Sequence, residues 1–291
     1  MHASLILSTD LFQPNTSINY FRAMKILIIG GGNMGLTFAK SFINSKIVDH
    51  RNMLILEKSM KKAAELEKLE LGTVFGEPDS YVEDADLIIL AVKPQDIQQL
   101  FTTIKPYICN HQVILSIMAG VKIATIQEGL GLQKVVRVMP NLPSQIGTGM
   151  SVFSSSEEVT RIELAMVQNL LSASGKTVYT SDETMIDAAT AVSGSGPAYV
   201  FYFMKGMIES AKQLGFSQSE AELLSYQTFK GAIELFNKHD FTCEEWIAKV
   251  TSKGGTTAAA FDSFKKQRVM EGYQEGIESA FRRAQELSEL E

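Results

Sequence analysis

Two glycine-rich segments hold the residues best able to act on a ligand. The first, Gly30-Gly31-Gly32-Asn33-Met34-Gly35, fits the spacing G-x-G-x-x-G between an aliphatic run at 25–30 and a helical pattern at 34–45. Gly30 permits a tight turn, Gly32 lets backbone approach a pyrophosphate, and Gly35 lets the helix pack on the strand. Asn33 and Met34 open that helix, whose positive dipole end favours an anion. Strand, turn and helix in this order predict a dinucleotide site. The next expected strand, 52–57, ends in Glu57, where the adenosine ribose would lie. A carboxylate there pairs with a free 2′-hydroxyl and repels a 2′-phosphate. Lys58, Ser59, Lys61 and Lys62 follow at once and offer the opposite preference, so NADH and NADPH both stay open.

The second segment, Ser252-Lys253-Gly254-Gly255-Thr256-Thr257, presents successive backbone N–H groups at an expected helix start. Its glycines leave no side chain to block a carboxylate, although the pattern alone equally describes a plain helix cap. The four histidines stand apart, and Cys109 and Cys243 form no CxxC pair. No metal site and no disulfide framework are expected.

The 291 residues are enough for two domains. Apolar residues make up 45% and charged residues 21%, which fits a folded chain rather than a disordered one. The net charge is −6 with no dense basic cluster, against nucleic-acid binding. The longest apolar run, 198–204, is far below the roughly 18 residues of a membrane span. Residues 1–23 lack the early positive charges and small-residue cleavage site of a secretory signal, and read as an extension before Met24. A cytoplasmic protein is the expectation.

From 24 to 178 strand and helix alternate, with strands expected at 25–30, 52–57, 73–75, 86–92, 112–117, 135–138 and 150–153. That alternation predicts an α/β domain with a parallel sheet covered on both faces. From 179 to 291 only helices are expected, at 182–191, 196–214, 218–238, 243–251, 257–267 and 270–289. Capping boxes are expected at Ser155 with Glu158, Ser217 with Glu220, and Thr242 with Glu245. The stretch 198–214 is apolar around most of its early circumference, so it must be buried within a domain or between subunits.

Further segments complete the pattern: Ala91-Val92-Lys93-Pro94, SIMAGV at 116–121, RVMPNLPSQIGTGM at 137–150, AVSGSGPAY at 191–199, and VTSKGGTTAAA at 250–260. In this order and spacing, from about Met24 to Leu287, the chain resembles the pyrroline-5-carboxylate reductases. The resemblance implies a Rossmann-type NAD(P)-binding domain at 24–178 and an all-helical dimerisation and substrate domain at 179–291. It further implies homodimers assembling to decamers, and hydride transfer from NADPH or NADH to the C=N carbon of 1-pyrroline-5-carboxylate, giving L-proline. By the same resemblance, Ser252, Gly254, Gly255, Thr256 and Thr257 grip the substrate carboxylate. Thr257 reaches the ring nitrogen as the catalytic residue, and Glu183 lies near the substrate. Ala91, Val92, Lys93, Pro94, Ala119, Gly120 and Asn141 would contact the cofactor along with Gly30, Gly32, Asn33, Met34, Gly35, Glu57 and Lys58. Family members usually carry proline where Lys253 stands.

Imine reduction makes a light proton demand, because an iminium already carries its proton and hydride addition yields a neutral amine. This fits a chain whose histidines lie outside every motif. A hydroxyacid dehydrogenase of similar layout would need a lysine four residues after the last glycine of SGSG, where this chain has Val200. A non-catalytic nicotinamide sensor would have no need of the 252–257 segment.

Overall fold

Parallel strands covered on both faces bury both sets of side chains, which calls for unbroken aliphatic runs. Ile26–Ile29 (β1) and Met53–Leu56 (β2) are buried at every position, and Thr73–Phe75 (β3) pairs beyond β2 at the edge. Leu87–Leu90 (β4), Val113–Ser116 (β5) and Val135–Met139 (β6) are again fully buried. Gly149–Ser155 (β7) and Gly175–Tyr179 (β8) complete an eight-stranded sheet in the order β3-β2-β1-β4-β5-β6-β7-β8. Every neighbouring pair is parallel except β6 with β7. The register sets Ile28 beside Ile55 on one side and Ile89 on the other. The structure, a computed structural model, describes residues 24–289, so the expected extension at 1–23 lies outside the described residues.

Alternate side chains of β1 feed two separate cores. Ile26 and Ile28 join Phe38 and Phe42 on one face, while Leu27 and Ile29 join Ile88 and Phe101 on the other. The helix Asn33–Asn44 (α1) buries Gly35, Thr37, Phe38, Ala39 and Phe42 on the stripe facing the sheet. Met60–Glu67 (α2), Ile97–Ile104 (α3), Ile123–Leu130 (α4) and Arg161–Ser172 (α5) follow the strands in turn. The expected box at Ser155 and Glu158 does not form, because β7 runs on to Ser155. The box before α5 is Thr160 with Glu163 instead, each side chain bonding the other residue's backbone N–H.

A last short helix of this region, Met185–Ala189 (α6), widens into a π-helical turn at Thr190–Gly194. The expected single helix over 182–191 thus starts later and changes winding. Its inward face is buried at Ile186, Asp187, Ala189 and Ala191. One compact unit comprises the described residues up to 194 together with 283–289.

The second unit, 195–282, is helical throughout. Gly196–Gln213 (α7), Gln218–Lys238 (α8), Cys243–Val250 (α9) and Thr256–Lys266 (α10) precede Val269–Glu289 (α11), whose end belongs to the first unit. The Ser217–Glu220 and Thr242–Glu245 capping boxes both form as expected. Yet α7 buries none of its residues, so among the described residues the apolar helix foreseen as buried finds no interior.

Candidate active site

The glycine turn is shaped by close approaches that only glycine tolerates. Gly30 has φ +104°, and a Cβ there would stand 2.7 Å from the Ala91 carbonyl oxygen. A Cβ on Gly35 would strike the Gly30 carbonyl oxygen, so the α1 start lies hard against the turn. Gly32 differs, since a Cβ there would meet nothing within 4 Å. Its backbone is open to a ligand, as a pyrophosphate cradle requires.

A cavity of about 430 Å³ opens at this turn, past the C-terminal ends of β1, β2 and β4. Ligands of open parallel sheets bind at such strand ends, and the volume suits one. Gly30, Gly32, Glu57, Lys58, Ala91, Val92 and Lys93 all line it, so seven of the residues expected to contact cofactor come together. Lys62, set beside Lys58 by the sequence, also lines it; so do Glu77, Asp96 and Thr103, which belong to no motif and which only the fold brings here. The cavity therefore fits a dinucleotide.

Glu57 is only 6% exposed and is held by the turn itself. One carboxylate oxygen accepts the Gly31 N–H at 3.0 Å and the other accepts the Ser59 N–H at 2.9 Å. Lys58 reaches across the cavity to Asp96, Nζ to Oδ1 2.9 Å. Ser59 caps α2 by accepting the Lys62 N–H.

The other expected cofactor residues lie outside this cavity. Asn33 and Met34 form the first turn of α1, where the Asn33 carbonyl accepts the Thr37 hydroxyl at 2.7 Å. Pro94 starts a short 3-10 helix at Pro94–Asp96 with Lys93 as its cap. Ala119 is half-buried in the loop after β5. Gly120 has φ +83° and sits against the end of α11, where a Cβ would stand 3.0 Å from the Leu287 carbonyl oxygen. Asn141 donates to the Ser193 carbonyl at 3.1 Å and accepts the Met150 N–H at 2.8 Å, so its side chain ties three segments together.

Glu183 accepts the Ile123 N–H at the start of α4 at 2.8 Å and the Arg137 guanidinium at 3.1 Å. Arg137 had drawn no assignment from the sequence. It is 1% exposed and also bonds Asp187 at 2.7 Å and the Ser288 hydroxyl at 3.4 Å. The signal was a lone charge inside the aliphatic run VVRVM, which demands buried partners. It joins β6, α6, Glu183 just ahead of that helix and the end of α11.

In the helical unit, Gly254 has φ +72° and turns the chain into α10. The Gly255 N–H bonds the Ser252 carbonyl at 3.0 Å, and Gly255 caps α10 without a side-chain bond. No side chain therefore caps the first N–H groups of α10, those of Thr256 and Thr257 among them. Ser252, Lys253 and Gly254 are exposed and Thr257 is half-buried.

Comparison with known proteins agrees with this geometry. Residues 183–287 match the family described as pyrroline-5-carboxylate reductase dimerisation, and residues 25–120 match NADP oxidoreductase, coenzyme F420-dependent. The pyrroline-5-carboxylate reductase of Aquifex aeolicus is 36% identical over 236 residues, covering 80% of this chain and 86% of that one. That of Pseudomonas aeruginosa is 37% identical over 209 residues, 72% of this chain and 77% of its own. Among solved structures, the Coxiella burnetii pyrroline-5-carboxylate reductase superposes with TM-score 0.83 at 30% identity, covering 91% and 98% of the two chains. The Plasmodium falciparum pyrroline carboxylate reductase with NADP bound has TM-score 0.83 at 27% identity, covering 92% and 99%. A Rossmann-type unit with its glycine-turn cavity, a helical unit matching the dimerisation family, and relatives spanning most of the chain place this protein in the pyrroline-5-carboxylate reductase family.

Proposed function

We propose that the chain reduces 1-pyrroline-5-carboxylate to L-proline with NADPH or NADH, the last step of proline biosynthesis. Family membership over most of the chain carries this reading, and the open cavity and the uncapped start of α10 support it. When bound, the cofactor supplies the hydride. Gly30, Gly32, Asn33, Met34 and Gly35 cradle its pyrophosphate, and Glu57 and Lys58 meet the adenosine ribose. Ala91, Val92, Lys93 and Pro94 flank its path, with Ala119, Gly120 and Asn141 shaping the nicotinamide end through their backbone.

The substrate carboxylate sits on the N–H groups at 252–257, with Ser252, Gly254, Gly255 and Thr256 around it. Gly254 and Gly255 leave that approach clear, and the helix dipole adds positive potential. Thr257 orients the ring nitrogen by its hydroxyl, while Glu183 keeps the neighbouring loop in place. The protonated imine needs no strong acid, so positioning supplies most of the rate. The protein works as a homodimer built into a decamer, in the cytoplasm; the match of 183–287 to a dimerisation family supports association of copies. No described helix is long and apolar enough to cross a membrane.

The test is turnover of 1-pyrroline-5-carboxylate by purified protein, read as cofactor oxidation together with L-proline formed. Thr257→Ala should lower kcat by roughly a hundredfold, the scale of a misplaced reactant, with unchanged unfolding. Folded wild-type protein that oxidises neither cofactor would remove this reading.

A further inference from the structure

We propose that the adenosine end of the cavity selects a free ribose 2′-hydroxyl over a 2′-phosphate, through the clamped Glu57 carboxylate and a Lys58–Asp96 strap, so that the protein favours NADH. The proposal rests on the reading of this cavity as the cofactor site and adds what that reading leaves open.

Glu57 cannot swing aside. Its two oxygens hold the Gly31 and Ser59 N–H groups at 3.0 and 2.9 Å, and rotating it away would leave two amides unpaired beneath the turn. Each oxygen keeps a further lone-pair site, an acceptor for a ribose hydroxyl and a repulsive neighbour for a phosphate.

The cation next to it is already engaged. Lys58 follows β2, whereas Asp96 lies on the far side, in the 3-10 helix at Pro94–Asp96 beyond β4. Both line the cavity, so their 2.9 Å ion pair bridges its two walls. A 2′-phosphate would have to take Lys58 from Asp96 and leave two carboxylates beside a dianion. NADH makes no such demand. The lining as a whole offers no surplus of positive charge, because Lys58, Lys62 and Lys93 are matched by Glu57, Glu77 and Asp96.

Calorimetric titration of the full chain with NADH and with NADPH tests this, alongside the KM ratio of the two cofactors in turnover. Wild type should bind NADH roughly tenfold or more tightly, the scale of one charged hydrogen bond gained against one repulsion. Asp96→Asn releases Lys58 and should shift the Kd ratio towards NADPH about fivefold, the upper range for an exposed ion pair. Glu57→Gln should shift it further, and adding Lys58→Ala to Asp96→Asn should cancel that variant's gain. Equal or tighter NADPH binding by wild type overturns the proposal, as does an Asp96→Asn ratio equal to wild type. Binding of neither nucleotide by folded protein overturns the cofactor reading itself, an outcome distinct from a wrong preference.

Discussion

The two units treat apolar side chains in opposite ways. In the sheet unit, Phe38, Phe42, Ile88 and Phe153 are fully buried, and each face of the sheet has a closed core. In the helical unit, 195–282, only Ala221 and Ser225 are buried. Tyr202 is 74% exposed, Leu214 81% and Leu223 65%, and an aromatic groove between α7 and α11 is lined by Tyr199, Tyr202, Phe203 and Tyr273. The groove gathers several such side chains on one surface, as an interaction face does. The sheet unit completes its core from its own chain, whereas the helical unit needs another surface to complete it. Here the aromatic contacts at hand, such as Phe203 with Tyr273 at 5.3 Å, are edge contacts on an open groove.

That contrast can be broken from either side. The largest expected loss is in the sheet unit, where Arg137→Met would strand the Asp187 and Glu183 carboxylates that the guanidinium now holds. The expected cost is about 3–5 kcal/mol, read as a lower urea midpoint than wild type at the same protein concentration. In the helical unit, Phe201→Asp places a charge on a residue 59% exposed in the single chain. Self-association should weaken by roughly thirtyfold or more, as for an interface hot spot, by sedimentation equilibrium. Unchanged association would mean that this open face serves no contact between copies.

Gly120→Ala should cost about 1–3 kcal/mol, the scale for a residue forced into a left-handed conformation, because φ is +83° and the Leu287 backbone leaves little room. Thermal unfolding measures it, and no loss would show that the end of α11 yields easily. The smallest effect is a matter of pH. Burial pushes the Glu163 carboxyl up, but the bonds from Lys134 and Thr160 outweigh it and hold the carboxyl below its ordinary 4.5. A depressed carboxylate stabilises the fold above its unfolded value, and that contribution fades as pH falls below 4.5 through the folded value. Glu163→Gln should flatten this acid limb by under about 1 kcal/mol, as befits a partly exposed pair.

Much of the sheet unit was legible in the residues. KILIIG and DLIILAV read as buried strands because nothing polar interrupts them, and the glycine spacing marked the turn that became the cavity wall. β8 was not, because GKTVY is a half-exposed edge strand with no aliphatic run to betray it. The capping box before α5 was misplaced by five residues, since Ser155-x-x-Glu158 and Thr160-x-x-Glu163 carry the same local signal. Which one works depends on where β7 stops, and pairing with β6 decides that.

By itself the sequence determined the local and the periodic: the run of parallel strands, the glycine turn, Glu57 at the end of β2, and the glycine-rich 252–257 segment. These depend on side-chain volume, backbone freedom and spacing, which act over a few residues. Only the tertiary structure decided that Lys58 spends its charge on Asp96 across the cavity. Only there does Arg137 find Asp187 and Ser288, 50 and 151 residues further along the chain. The reason is physical: an ion pair or a buried charge is settled by which groups the sheet order brings within about 4 Å, the contact range of such pairs, and no local pattern encodes that proximity.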